Sequence, residues 1–181
     1  HLASDLSIVE TSAIGKAYRF DESGPRYVEF CKSTVPSEIS FSSLRIVLDC
    51  ANGASYKVSP KVFEELGAEV IKIGTEPDGY NINQKCGSMH PEVVSKAVIE
   101  NRADYGVSLD GDGDRVILVD EKGNILDGDD LLYIISFANP NRTGVWSGVV
   151  GTMMSNLGLE EGLKKLGYKF VRSDVGDKHV S

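Results

Sequence analysis

The sequence predicts an α/β fold: a mixed, mainly parallel sheet with flanking helices, followed by the start of a second, similar α/β domain. Three observations carry this. Short β-branched runs alternate with helical patterns, as in βαβ units. One of those runs ends in a loop of alternating aspartate and glycine. The strand-and-helix rhythm then restarts near Asp127.

The elements follow in order. Pro25 starts a lead-in helix with Tyr27, Val28, Phe30 and Cys31 on its apolar side. Leu44–Leu48, Ala68–Ile73 and Tyr105–Leu109 read as strands near the middle of a sheet. Between the first two, Ser59 and Pro60 read as N-cap and first residue of a helix that Gly67 ends. Pro91 opens the next helix, with Val93, Val94, Ala97 and Val98 on one face. Val116–Val119, the turn 120–124 and Ile125-Leu126 form a hairpin. Asp127 to Asp130 cap a helix from Leu131 to Phe137, and Asn139 to Gly144 form a loop. Gly148–Gly151 is a strand. Ser155 caps a helix carrying Leu159, Leu163 and Leu166, Gly167 ends it, and Tyr168–Val171 is a strand. Residues 173–181 are polar, with no closing element. The expected division is 1–126, a complete α/β domain with its lead-in helix, and 127–181, the opening of a second domain.

Composition narrows the function classes. The 181 residues hold 19 basic and 27 acidic side chains, a net charge of −8. That balance disfavours a nucleic-acid or anionic-membrane partner. With 41% apolar and 25% charged residues the chain is globular. It is long enough to bury roughly 70% of its unfolded surface. It has no membrane-length apolar run and no signal-like N-terminus. Cys31, Cys50 and Cys86 are odd in number and scattered, which suits free thiols in a reducing cytoplasm.

The most informative stretch is Asp110-Gly111-Asp112-Gly113-Asp114-Arg115. It follows an apolar strand, at the end where open α/β sheets place ligands. The glycines let three carboxylates converge, and converging carboxylates repel unless a hard divalent cation lies among them. An acidic turn is the plain alternative. A calcium EF-hand would use the same aspartates, with Glu121 at position twelve. It needs glycine where Arg115 stands and helices where strand-like runs flank the loop. Arg115 can hold a phosphate, orient an aspartate or form a structural salt bridge. Metal and guanidinium together suggest phosphoryl chemistry.

The loop resembles the metal-binding loop of the α-D-phosphohexomutases, and Gly113 is similar to the phosphoglucosamine mutase version of it. Arg26–Lys32, Asp49–Ala54, Glu76–Asn83, Val150–Asn156 and Val175–Asp177 agree with that branch, so the resemblance covers nearly the whole chain. It implies a bacterial, cytoplasmic, four-domain enzyme using one Mg²⁺ per active site. Such enzymes interconvert glucosamine 6-phosphate and glucosamine 1-phosphate for cell-wall precursor synthesis. A phosphoserine donates its phosphoryl group, a bisphosphorylated intermediate turns round, and the metal is held by the serine phosphate and three aspartates, here Asp110, Asp112 and Asp114. Arg115 supports the phosphate and the metal loop.

Departures accompany the resemblance. The family's Ser-His-Asn-Pro, Glu-x-Ser-Gly and Ser-Gly-Thr-Glu-Pro loops are not found. The chain therefore corresponds to the second domain and the start of the third, and is expected to be inactive alone. Ser88-Met89-His90-Pro91 echoes the serine signature but reads as a turn and helix start. Lys178 and His179 stand where the family usually has Arg-Tyr, and are the substrate-binding candidates. Asn52-Gly53-Ala54 reads as an anion-binding helix start or a plain βα turn, and Asn81 and Asn83 as interface braces or exposed turns. Other phosphohexomutases acting on glucose or mannose phosphates, and a non-catalytic divalent-metal module, are the rival readings. A homodimer is consistent with the unfinished sheet edge.

Overall fold

The computed structural model of the chain describes residues 10, 13–138 and 148–180. Helix α1, Ser23–Ser33, leads into strand β1, Arg45–Asp49. A short 3-10 turn, Ala54–Tyr56, feeds helix α2, Val58–Glu65, and then strand β2, Glu69–Ile73. Helix α3, Pro91–Asn101, connects to β3, Tyr105–Leu109, which is followed by β4, Val116–Val119, and β5, Ile125–Leu126. The five strands form one mixed sheet in the order β2-β1-β3-β4-β5. β1 pairs in parallel with β2 and β3, while β3–β4 and β4–β5 are antiparallel.

This register buries β1 on both faces. Val47 packs with Val94, Val98, Ala103 and Val119 in the main core, against Ile71, Ile73 and Ala97. Leu48, which alternation points to the other face, is also fully buried. α3 lies close over β3 because Gly106 has no side chain; a Cβ there would overlap Val94 Cγ1. α1 packs on α2, and Lys32 bridges Glu29 and Glu65 at 2.7 Å each. Cys31, Cys50 and Cys86 are free thiols, as expected, and burial pushes Cys50 up to about 11.

A second, smaller unit follows. α4, Gly128–Ala138, precedes β6, Gly148–Thr152, α5, Leu157–Lys165, and β7, Lys169–Ser173. β6 and β7 pair in parallel, so β6-α5-β7 is a βαβ unit. Its core is Leu159, Leu163 and Tyr168, with Leu132, Val149, Leu166 and Phe170 around it. The Tyr168 hydroxyl donates to the Ser136 carbonyl at 2.9 Å. Among the described residues no helix is long and apolar enough to cross a membrane.

Several local expectations are corrected. Both α1 and α2 begin two residues before their prolines, at Ser23 and Val58. A proline at the third helical position is tolerated because the first four N–H groups lack intrahelical partners anyway. Ser59 is therefore helical and not a cap. Of the apolar side read for α1, Val28 is buried, but Tyr27 and Phe30 are 57% and 62% exposed and stack on each other. β2 is an edge strand of its sheet, not a central one. Asn156, not Ser155, caps α5, accepting the Leu159 N–H at 2.7 Å; the Ser155 hydroxyl takes the Thr152 N–H instead. The chain's last turn, Asp177–Val180, is a short helix, α6, where no closing element was expected. The loop read over 139–144 lies outside the described residues.

Candidate metal centre

The six residues 110–115 join β3 to its antiparallel neighbour β4. Strands flank the loop on both sides, which removes the EF-hand reading. The loop closes on itself through backbone bonds, Asp110 N–H to the Arg115 carbonyl at 3.3 Å and Gly113 N–H to the Asp110 carbonyl at 3.1 Å. Gly113 sits at φ +78°, a conformation that favours glycine. The result brings one carboxylate oxygen from each of Asp110, Asp112 and Asp114 within 4.8 Å of the others.

The three carboxylates are not equivalent. Asp110 is 3% exposed, while Asp112 and Asp114 face solvent. Asp110 is held by Arg115 three times: the backbone N–H reaches Oδ1, and Nε and Nη2 reach Oδ2, each at 3.0 Å. Burial opposes its charged form, but the bonds from Arg115 and the neighbouring aspartates outweigh that and bring it down to about 2. Asp114 moves the other way. Its hydrogen bond with Asp110 and the charges of Asp110 and Asp112 raise it above the ordinary carboxylate value. Arg115 also approaches Asp114 Oδ1 at 3.5 Å.

An all-oxygen, three-carboxylate set suits a hard divalent cation. A cation there would relieve the repulsion that raises Asp114. The donor set therefore fits Mg²⁺, with Asp110 preorganised by Arg115 and two exposed carboxylates free to adjust.

Behind the loop, the backbone approaches closely. Ala54 N–H donates to the Gly111 carbonyl at 2.8 Å, and a Cβ on Gly53 would overlap that same carbonyl. A Cβ on Gly111 would meet the Ile82 side chain at 2.7 Å and Asn83 Nδ2 at 2.8 Å. These contacts decide two open readings. Asn52 N–H binds the Gly74 carbonyl and Gly53 N–H the Cys50 carbonyl, so residues 52–54 form a βα turn with its donors committed, not an anion site. Asn83 packs against the aspartate loop, while Asn81 braces its own loop through Glu76 and Asp78.

His90 stands at the start of α3, as read from the sequence, with no side-chain cap bond, but the preceding residue adds a contact that sequence reasoning missed. Met89 Sδ accepts from Arg115 Nη1 at 3.4 Å. Only the shared position of this segment and the aspartate loop at one end of the sheet signals it. Lys178 and His179 lie on α6, exposed, in the unit built on β6 and β7 rather than on the sheet that carries the aspartates.

Comparisons with known proteins agree with this architecture. The family pattern described as phosphoglucomutase/phosphomannomutase, alpha/beta/alpha domain II matches residues 25–123, and that for alpha/beta/alpha domain III matches 127–181. A phosphoglucosamine mutase of Thioalkalivibrio sulfidiphilus is 55% identical over 179 residues, which is 99% of this chain and 40% of that protein. One from Psychromonas ingrahamii is 53% identical over 176 residues, 97% of this chain and 40% of its own length. The chain thus spans about 40% of the curated relatives it matches. A crystal structure of a phosphoglucomutase/phosphomannomutase family protein from Burkholderia thailandensis shares the fold, with a TM-score of 0.71 at 23% identity over 84% of this chain and 33% of that one.

Proposed function

This chain belongs to the phosphoglucomutase/phosphomannomutase family, and on that premise we propose that it is part of a phosphoglucosamine mutase. Residues 1–126 would be the metal-binding second domain with its lead-in helix, and 127–181 the start of the third. The whole enzyme would interconvert glucosamine 6-phosphate and glucosamine 1-phosphate through a phosphoserine and a bisphosphorylated intermediate. Its setting would be the cytoplasm, with a phosphorylated hexosamine as substrate and no nucleic-acid or membrane partner. The relatives at 53–55% identity favour glucosamine over the glucose and mannose phosphates in the family's description.

The observation that carries this reading is the convergence of Asp110, Asp112 and Asp114 at one point beside Arg115. When bound there, Mg²⁺ would supply charge neutralisation for a transferred phosphoryl group. The chain's own residues do the positioning. Asp110 is fixed in its charged form by Arg115. Asp112 and Asp114 complete the oxygen set. The Arg115 side chain is 56% exposed, so the N–H groups it does not spend on Asp110 and Met89 would be open to a phosphoryl oxygen. Lys178 and His179 would meet substrate from the neighbouring domain. In this reading the nucleophilic serine would come from outside residues 1–181, and the chain alone is expected to be inactive.

The experiment is a chimera. Residues 1–181 replace the matching segment of the Thioalkalivibrio sulfidiphilus phosphoglucosamine mutase, and glucosamine 6-phosphate turnover is followed by phosphorus NMR with catalytic glucose 1,6-bisphosphate. Turnover that Asp112→Asn abolishes supports the reading. A folded chimera without turnover, or one indifferent to Asp112→Asn, overturns it.

A further inference from the structure

Building on the assignment of Asp110, Asp112 and Asp114 as the metal-binding set, we propose that Asp49 is a positioning residue for their loop. Asp49 ends β1 and is fully buried between β2 and β3, paired in register with Ile73 and Ser108. Among the described residues no cation pairs with it. Two backbone donors satisfy it instead. Ala51 N–H reaches Oδ1 at 2.8 Å and Gly87 N–H reaches Oδ2 at 2.6 Å. A buried carboxylate without a counter-charge is a costly choice. A carboxylate differs from an amide in offering two accepting oxygens, and both are used here.

Each of those donors belongs to a segment that touches the aspartate loop. On one side, Ala51 and Asn52 stand consecutively in the left-handed region, at φ 54° and 49°. Asparagine tolerates that region but alanine disfavours it, so Ala51 in particular needs its surroundings to hold it there. Asp49 holds its first residue, the Gly74 carbonyl its second, and the turn delivers Gly53 and Ala54 onto Gly111. On the other side, Gly87 stands at φ +79°, where a Cβ would lie 2.9 Å from the Leu109 carbonyl and 2.6 Å from Ala51 Cβ. The next N–H, that of Ser88, donates to that Leu109 carbonyl at 3.0 Å, and Met89 then contacts Arg115. Asp49 therefore joins two jaws that grip the aspartate loop from Leu109 to Gly111. It touches none of the three ligand carboxylates and acts only through the backbone that spaces them.

The test compares Asp49→Asn with Val98→Ala, a core variant in α3. Two readouts are taken on each: Mn²⁺ affinity by calorimetry, and hydrogen exchange at the Ala54 amide, whose N–H is bound to Gly111. The expected result is a roughly tenfold loss of Mn²⁺ affinity in Asp49→Asn, the scale of one buried charged hydrogen bond. Ala54 exchange speeds up in that variant, while Val98→Ala, at comparable loss of stability, keeps both readouts at wild-type values. An Asp49→Asn protein indistinguishable from Val98→Ala in both overturns the proposal. Absence of Mn²⁺ binding in the wild type would defeat the metal assignment instead, and Ala54 exchange would still decide the positioning role. If Asp49→Asn does not fold, Gly53→Ala presses on the same contact, and unchanged affinity and exchange there overturn the proposal.

Discussion

Asp110→Asn and Asp114→Asn should change the stability of the metal-free chain in opposite directions. Asp110 is held at about 2 against an ordinary 3.8. At about 1.4 kcal/mol per pKa unit that difference contributes at most about 2 kcal/mol at neutral pH, because the share donated by the neighbouring aspartates needs their protons and only the Arg115 share remains. Asp110 is 3% exposed, but the Arg115 side chain that holds it is 56% exposed, so solvent screening trims this contribution. Because its folded value is depressed, the contribution is complete well above pH 3.8 and is lost as pH falls toward 2. By about pH 3 roughly half should be gone. Asp114 is raised in the fold, so its favourable contribution exists below its ordinary 3.8 and disappears as pH rises through the raised value. Removing its charge should therefore stabilise the chain at neutral pH and do nothing in acid. Urea unfolding of wild type and both variants at pH 7, 4 and 3 checks this. Asp110→Asn should be about 1–2 kcal/mol less stable at pH 7, the gap narrowing toward pH 3. Saturating Mg²⁺ should then invert the comparison for Asp114. At one hundred times Kd it adds about 2.7 kcal/mol to the wild type, and less to either variant. An Asp110→Asn chain as stable as wild type at pH 7, or a gap that does not change with pH, would refute the reasoning.

Two further outcomes are expected. Ser108 is fully buried on β3, and among the described residues its hydroxyl has no protein partner; Ser108→Ala should raise stability by about 1 kcal/mol in urea unfolding, whereas a loss of that size would show the hydroxyl to be hydrogen-bonded. Asn156→Ala removes the acceptor for the Leu159 N–H and should cost about 1 kcal/mol, read as a lowered Tm, with Asn156→Ser retaining most of the stability.

The strands were legible because β-branched runs leave little choice. Tyr105–Leu109 lies where the sequence places it, and the 120–124 turn closes the expected hairpin. Helix starts were less legible at Pro25 and Pro60. Proline is compatible with any of the first helical positions, so its identity alone does not fix which one it takes. The apolar side read for α1 shows another limit. Periodicity finds Tyr27 and Phe30 on one helix, but nothing in their spacing says whether another element covers them. The aspartate loop was legible as a group, since alternating glycines announce convergence. The inequality within it was not, because burial of Asp110 and its triple contact with Arg115 depend on the sheet beneath.

That inequality bears on how such a loop can fold at all. Its exposed carboxylates repel one another, so the side chains cannot be what draws the loop together in the metal-free chain. The closing force comes from elsewhere. Arg115 ties one carboxylate, the one least able to move, to the start of β4. The backbone behind is fixed by Ala54 and Ser88, whose N–H groups bind the Gly111 and Leu109 carbonyls. Both donors descend from segments anchored on Asp49. A loop assembled this way keeps its spacing without a cation while Asp112 and Asp114 stay exposed at its mouth. Repulsion left among these carboxylates would be released by a bound cation and so would add to metal affinity, and the rigid strand ends beneath supply the stability that offsets it.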